Sequence, residues 1–158
     1  TQVNLAEIVR ESLTSFYQDF IKASVTPTVR LHDENIFVWG NRAAVDRVLS
    51  NLISNALKYG LDGGVLEVSV RTEGNRVWVD VLDRGRGIPA HELPRVFDRL
   101  YTSEASRNAA MRGAGLGLAI ARQLVEKQGG EITAQSTPGE QTVFSFCLNK
   151  VCGESGRF

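Results

Sequence analysis

The chain has 158 residues, 42% hydrophobic and 23% charged, with Lys plus Arg equal to Asp plus Glu at 18 each. That length suits one domain with a sizeable core, and the even charge carries no signature of nucleic-acid or membrane-surface binding. No apolar run approaches the roughly 20 residues that span a bilayer. No secretory signal is visible, and the two cysteines, Cys147 and Cys152, form no disulfide framework or zinc motif, so a reducing cytoplasm fits best. The first residue is Thr1, not Met, so we expect a fragment of a longer protein whose remainder could hold a membrane anchor.

In chain order, residues 3–23 place Leu5, Ile8, Val9, Leu13, Phe16, Phe20 and Ile21 at helical spacing, which predicts one amphipathic helix. "TPTVRLHDENIFVWG" reads as two short strands. Asn41 then caps a long helix running to about Tyr59. "VLEVSVRTEGNRVWVDVLD" alternates on both sides of Glu73-Gly74-Asn75 and predicts a hairpin. A glycine turn, "RGRGIP", and a weakly patterned stretch from Ala90 to Arg112 follow. A helix from about Gly115 to Gln128 ends at Gly129-Gly130. "EITAQS" and "TVFSFCL" are two more strands, and the tail after Lys150 is expected to be disordered or foreign to the fold, leaving residues 1–150 as the domain. Interleaved helices and hairpins predict an α/β (α+β) two-layer sandwich, with about five mixed, largely antiparallel strands under three main helices.

Three stretches carry candidate chemistry. On the long helix, Val45, Val48, Leu49, Leu52, Ile53 and Ala56 form a buried stripe, and Asn51, Asn55 and Lys58 form a ridge at its edge. A solvated helix face would also be polar there, but Asn is a poor helix former. Its carboxamide oxygen can instead take one place around Mg²⁺, and Lys58 can meet phosphate oxygens. Asp83 stands at a strand end before Gly85 and Gly87, where a plain turn and an acceptor for an adenine amine are equally good readings. Gly113, Gly115 and Gly117 precede a helix without forming a P-loop or a G-x-G-x-x-G fingerprint, since Leu118 stands at the third glycine. They could still offer backbone N–H groups to phosphate at a helix N-terminus, or be only a flexible linker.

In order, N-x-x-x-N-x-x-K, D-x-G-x-G, F-D-R-x-Y and G-x-G-x-G-L resemble the catalytic, ATP-binding domain of bacterial sensor histidine kinases, in the GHKL (Bergerat-fold) superfamily. The resemblance runs from "VNLAEIV" to "TVFSFCL". It implies that Asn55 is the Mg²⁺ ligand, that Asn51 lies near the phosphates and metal-bound water, and that Lys58 contacts phosphate, so Asn51 and Lys58 are the catalytic candidates. It places Tyr59 beside the adenine, Asp83 at its amine, and Gly85, Gly87 and Ile88 along the base. "FDRLYT" resembles the box that opens a mobile ATP lid, with Arg99 and Tyr101 at the nucleotide; Gly113, Gly115, Leu116, Gly117 and Leu118 close it. The lid, from Ser103 to Gly113, is expected to be unordered without nucleotide.

The resemblance has departures. Gln141 replaces a glycine in "GEQTVF", in a loop expected to lie far from the chemistry, and Asn41 stands where an acidic residue is common. "HELP", from His91 to Pro94, echoes the family's acceptor motif but lies between the base-binding glycines and the lid, so His91 is read as a surface residue and His32 as structural. The phosphoacceptor is therefore expected on a separate helical dimerisation domain, with an aspartate on a response regulator downstream. The implied cofactors are ATP and Mg²⁺. The fragment itself is expected to be monomeric, as the cytoplasmic domain of a membrane-anchored homodimer. An anti-sigma-factor-type serine kinase and a degenerate nucleotide-binding module are the alternatives; a glutamate base of the topoisomerase type is missing where Asn51 stands.

Overall fold

A computed structural model describes residues 1–59, 64–85, 87–98 and 114–151. Among these, the order is β1 (Gln2–Asn4), α1 (Leu5–Ser15), α2 (Tyr17–Ala23), β2 (Thr28–Arg30), β3 (Phe37–Trp39), α3 (Arg42–Tyr59), β4 (Leu66–Glu73), β5 (Arg76–Asp83), a 3₁₀ turn at Leu93–Arg95, α4 (Ala114–Lys127), β6 (Glu131–Thr137) and β7 (Gln141–Asn149). The main sheet runs β2-β4-β5-β7-β6, with β2 parallel to β4 and the other pairs antiparallel. The expected two-layer α/β sandwich is what forms, and no described helix is long and apolar enough to cross a membrane.

Local chemistry explains most boundaries. Asn41 caps α3: its Oδ1 accepts Ala44 N–H at 2.9 Å and its carbonyl accepts Val45 N–H at 2.9 Å. The β4–β5 hairpin turns at Gly74-Asn75, where Gly74 has φ 60°, the placement a type II′ turn asks of glycine. α4 stops in a Schellman arrangement: Gly129, at φ 85°, donates to Glu126 O and Gly130 to Val125 O, both at 3.0 Å. Pro138 and Gly139 link β6 to β7 in a type II pattern, with Gly139 at φ 85° and Glu140 N–H donating to Thr137 O at 2.8 Å.

The N-terminal segment differs from the single helix predicted. Residues 2–4 form a strand that pairs with β3, Val3 opposite Val38, and Asn4 then caps α1 through Glu7 N–H. Val3 lies off the apolar face that Leu5, Ile8, Val9 and Leu13 share, and with one buried residue in three the strand has no alternation of its own to announce it. At Phe16 the backbone leaves helical geometry (φ −97°, ψ 9°), separating α1 from α2. Ile21 leaves the apolar stripe assigned to it and stands exposed, as Tyr17 does; at about 100° per residue it falls far from the face that Leu5, Ile8, Val9 and Leu13 share. β2 and β3, adjacent in sequence, end up in different sheets.

The core lies between sheet and helices. Val45, Val48, Leu49, Leu52, Ile53 and Ala56 of α3 are all buried, as predicted, and meet Leu66, Val68, Val70, Val77, Val79, Val81, Phe144, Phe146 and Leu148 from alternate strand positions. Each such Val, Leu, Ile or Phe contributes about 1.5–3 kcal/mol. Where α4 turns into β6, a Cβ on Gly130 would come within 1.8 Å of the Cys147 carbonyl oxygen. Gly130→Ala is therefore expected to cost about 2–3 kcal/mol of unfolding free energy, read by urea denaturation.

Candidate functional site

The ridge predicted on α3 lies at the edge of the buried face: Asn51 and Asn55 are half-buried and Lys58 is exposed in the last turn. Asn51 Nδ2 donates to the Gly117 carbonyl at 2.9 Å, tying the middle of α3 to the first turn of α4. That bond uses the amide nitrogen and leaves the Asn51 oxygen for a ligand. Among the described residues, the Asn55 side chain makes no hydrogen bond.

Asp83 is the last residue of β5, in phase with Val77, Val79 and Val81, so strand alternation aims a carboxylate at the helix layer where the pattern calls for an apolar group. It is only 5% exposed. Its Oδ1 accepts the Gly85 N–H at 3.0 Å, and no ion pair to it is found among the described residues. Burial pushes its pKa from 3.8 to about 6, against the smaller opposing pull of the Gly85 bond.

The glycine turn after Asp83 is held against the far hairpin. Gly87 has φ 85°, and a Cβ on it would meet Pro138 Cα at 2.9 Å. The next residue, half-buried Ile88, donates its N–H to Ser136 Oγ at 2.9 Å, and Ser136 Oγ lies 2.7 Å from Thr142 Oγ1. Thr142, itself buried, is the register partner of both Asp83 and Ser136. The β6–β7 loop is therefore not remote from the site, as its sequence position suggested; it forms one wall. Ser136 and Thr142 are wall residues that none of the sequence motifs marks. The available signal was parity, because each is polar at a position that alternates with Ile132, Ala134, Phe144 and Phe146 on the helix-facing side.

Phe97, at the start of the "FDRLYT" segment, packs edge-on against Phe144 with ring centroids 6.1 Å apart, and Leu118 is buried in the core. Gly115 and Gly117 lie in the first turns of α4. A Cβ on Gly117 would make only ordinary contact, 3.8 Å from Asn51 Cγ. Arg99, Tyr101, Gly113, the Ser103–Gly113 lid, the tail from residue 152 and the side chains of Tyr59 and Leu116 lie outside the described residues. His91 is exposed, and His32 sits between strands, its Nδ1 3.3 Å from Val70 O.

The donor set fits an adenine nucleotide. It offers a buried carboxylate acceptor at the end of a strand, carboxamides and an amine along one helix edge, and a glycine-bearing helix start hydrogen-bonded to that edge. Residues 40–151 match the family model described as histidine kinase-, DNA gyrase B- and HSP90-like ATPase. The chain belongs to this family. Among curated relatives it is 36% identical over 151 residues to sensor histidine kinase YcbM of Bacillus subtilis, covering 96% of this chain and 49% of YcbM. The chain thus spans about half or less of the length of these curated relatives. Among solved structures, the nucleotide-free catalytic domain of histidine kinase ThkA superposes with a TM-score of 0.83 at 27% identity, covering 95% of both chains. ThkA in complex with response regulator TrrA matches with a TM-score of 0.79 at 26% identity, covering 96% of this chain and 42% of that one. Within the ATPase family, the likeness is thus to the ATP-binding catalytic domains of sensor histidine kinases.

Two substitutions should separate ligand binding from folding. Since the folded-state pKa of Asp83 exceeds the unfolded one, the native state holds the extra proton between about pH 4 and 6, and stability falls as pH rises through that window. Above it the buried charge costs on the order of 1–3 kcal/mol. Asp83→Asn is expected to recover that stability at pH 7, to give no gain below pH 4, and to weaken ATP binding by about 10-fold, measured by denaturation across pH and by calorimetry. Gly117→Ala is expected to keep or raise stability by up to about 1 kcal/mol, from better helix propensity, while ATP affinity falls at least about 10-fold.

Proposed function

We propose that the domain binds Mg·ATP between α3, the start of α4 and the end of β5, and passes the γ-phosphoryl group to a histidine on a separate helical dimerisation domain. The observation that carries this reading is the buried Asp83 carboxylate, which faces the helix layer with a backbone N–H as its hydrogen-bond partner. An exocyclic amine donating to it would return the hydrogen bonds that burial removed, whereas the guanine O6 would repel it. Asn55 would hold Mg²⁺ through its carboxamide oxygen, as the likeness to sensor kinases implies. Bound there, the ion would neutralise phosphate charge as the terminal P–O bond breaks. Asn51, anchored to Gly117, would keep its oxygen directed to the phosphate side, and Lys58 would supply a mobile positive charge. Backbone N–H groups at the glycine-bearing start of α4 would serve the phosphates, with Arg99, Tyr101 and Gly113 in the covering lid.

Such chemistry is mostly positioning and charge neutralisation, so these residues need supply no general base. The acceptor histidine would lie on that separate domain; His91, exposed beside the 3₁₀ turn, and His32, held between strands, are read as surface and structural residues. From the acceptor, the phosphoryl group would pass to an aspartate on a response regulator, which the ThkA–TrrA complex supports by likeness. In a longer protein this would be the cytoplasmic catalytic part of a membrane-anchored homodimer. Titration calorimetry with ATP and GTP, each with and without Mg²⁺, is expected to show ATP binding strengthened by the ion and no comparable GTP binding. Adding a histidine-bearing helical domain should then yield acid-labile phosphate on it. A folded sample that binds neither nucleotide would remove the kinase reading.

A further inference from the structure

A row of side chains crosses the sheet at its pocket end: Leu66, Asp83, Thr142 and Ser136, one from each of four adjacent strands. The next row inward is Val68, Val81, Phe144 and Ala134, wholly apolar. Three polar residues on the helix-facing side need a reason, because each costs free energy there unless it is hydrogen-bonded. Ser136 meets that need for two other groups at once. Its Oγ accepts the Ile88 N–H at 2.9 Å and pairs with Thr142 Oγ1 at 2.7 Å. A hydroxyl oxygen offers two lone pairs and one proton. With Ile88 on one lone pair, donation from Ser136 to Thr142 leaves the Thr142 proton for an acceptor at the Asp83 end of the row, and such chains strengthen each link.

The same atom stands against the turn. A Cβ on Gly87 would come within 3.2 Å of Ser136 Oγ, so the turn leaves no room for a side chain between itself and this hydroxyl. The glycine turn is thus fixed at both ends, at Gly85 by the Asp83 carboxylate and at Ile88 by Ser136. We propose that Ser136 is a positioning residue of the adenine site, holding the Gly85–Ile88 turn at the height of the base and orienting the Thr142 hydroxyl beside Asp83. This rests on the adenine reading above.

The test is Ser136→Ala, with affinities measured for Mg·ATP and for purine riboside triphosphate, which lacks the 6-amino group, and with amide exchange followed at Ile88. The expected result is faster Ile88 exchange and about 10-fold weaker ATP binding, with a much smaller change for the analogue, so the preference for the amine shrinks. Equal weakening for both nucleotides would mean that Ser136 acts only on the fold, and unchanged ATP affinity would mean that it does not position the turn; either overturns the inference. If the wild-type domain binds ATP no better than the analogue, the adenine reading itself fails, and this inference fails with it.

Discussion

The site depends on a carboxylate placed where a β-strand should carry an apolar side chain. Alternation along β5 sends Val77, Val79 and Val81 into the core and sends Asp83 after them, and burial holds its pKa at about 6. A charge in that position is tolerable only at the end of the sheet, where the core thins and a ligand can complete its hydrogen bonds. The neighbouring features follow from it. The turn carries glycines because its backbone folds back on the carboxylate and then passes against Pro138, and the facing strands supply hydroxyls rather than methyl groups. The domain thus gives up folding free energy at the place where it would gain binding free energy.

The second requirement is that the phosphate side stay in register with the base side, and α3 provides it. Its buried stripe fixes it on the sheet, and two side-chain bonds fix α4 on it. Asn51 holds the first turn of α4 through Gly117, and Gln128, after the last turn, accepts the Asn41 N–H at 2.7 Å while donating to Leu124 O at 2.9 Å. Ser12 donates to Asp46 at 2.9 Å and ties α1 to the same helix. The part-buried bonds of Asn51 and Ser12 matter more to the geometry than the exposed pairs Arg42–Glu7 or Arg122–Glu126, whose net contributions are small. Movement of the glycine-bearing start of α4 therefore bears directly on Asn51.

Much of this was legible because the signals are local. The Asn41 cap, the hairpin at Gly74 and the stop at Gly129-Gly130 each declare themselves within a few residues, and four ordered motifs marked the family. The strand at residues 2–4 was not legible, since three residues with one buried side chain show no alternation and the pairing of Val3 with Val38 is long-range. The place of the β6–β7 loop is hidden for a related reason: only the strand order, with β7 between β5 and β6, brings Thr142 and Ser136 to Asp83. Gly117 needed the structure too. Its lack of a side chain is not forced by the protein around it, so any strict need for glycine there comes from the ligand side.

The most direct test of this account is the titration of the Asp83 carboxyl by carbon-detected NMR, with and without Mg·ATP. A pKa of about 6 in the free domain, falling by a unit or more when the nucleotide binds, is what a buried acceptor for the adenine amine requires. An ordinary carboxylate value in the free domain, unmoved by ATP, would contradict the claim that this charge is buried for the sake of the base.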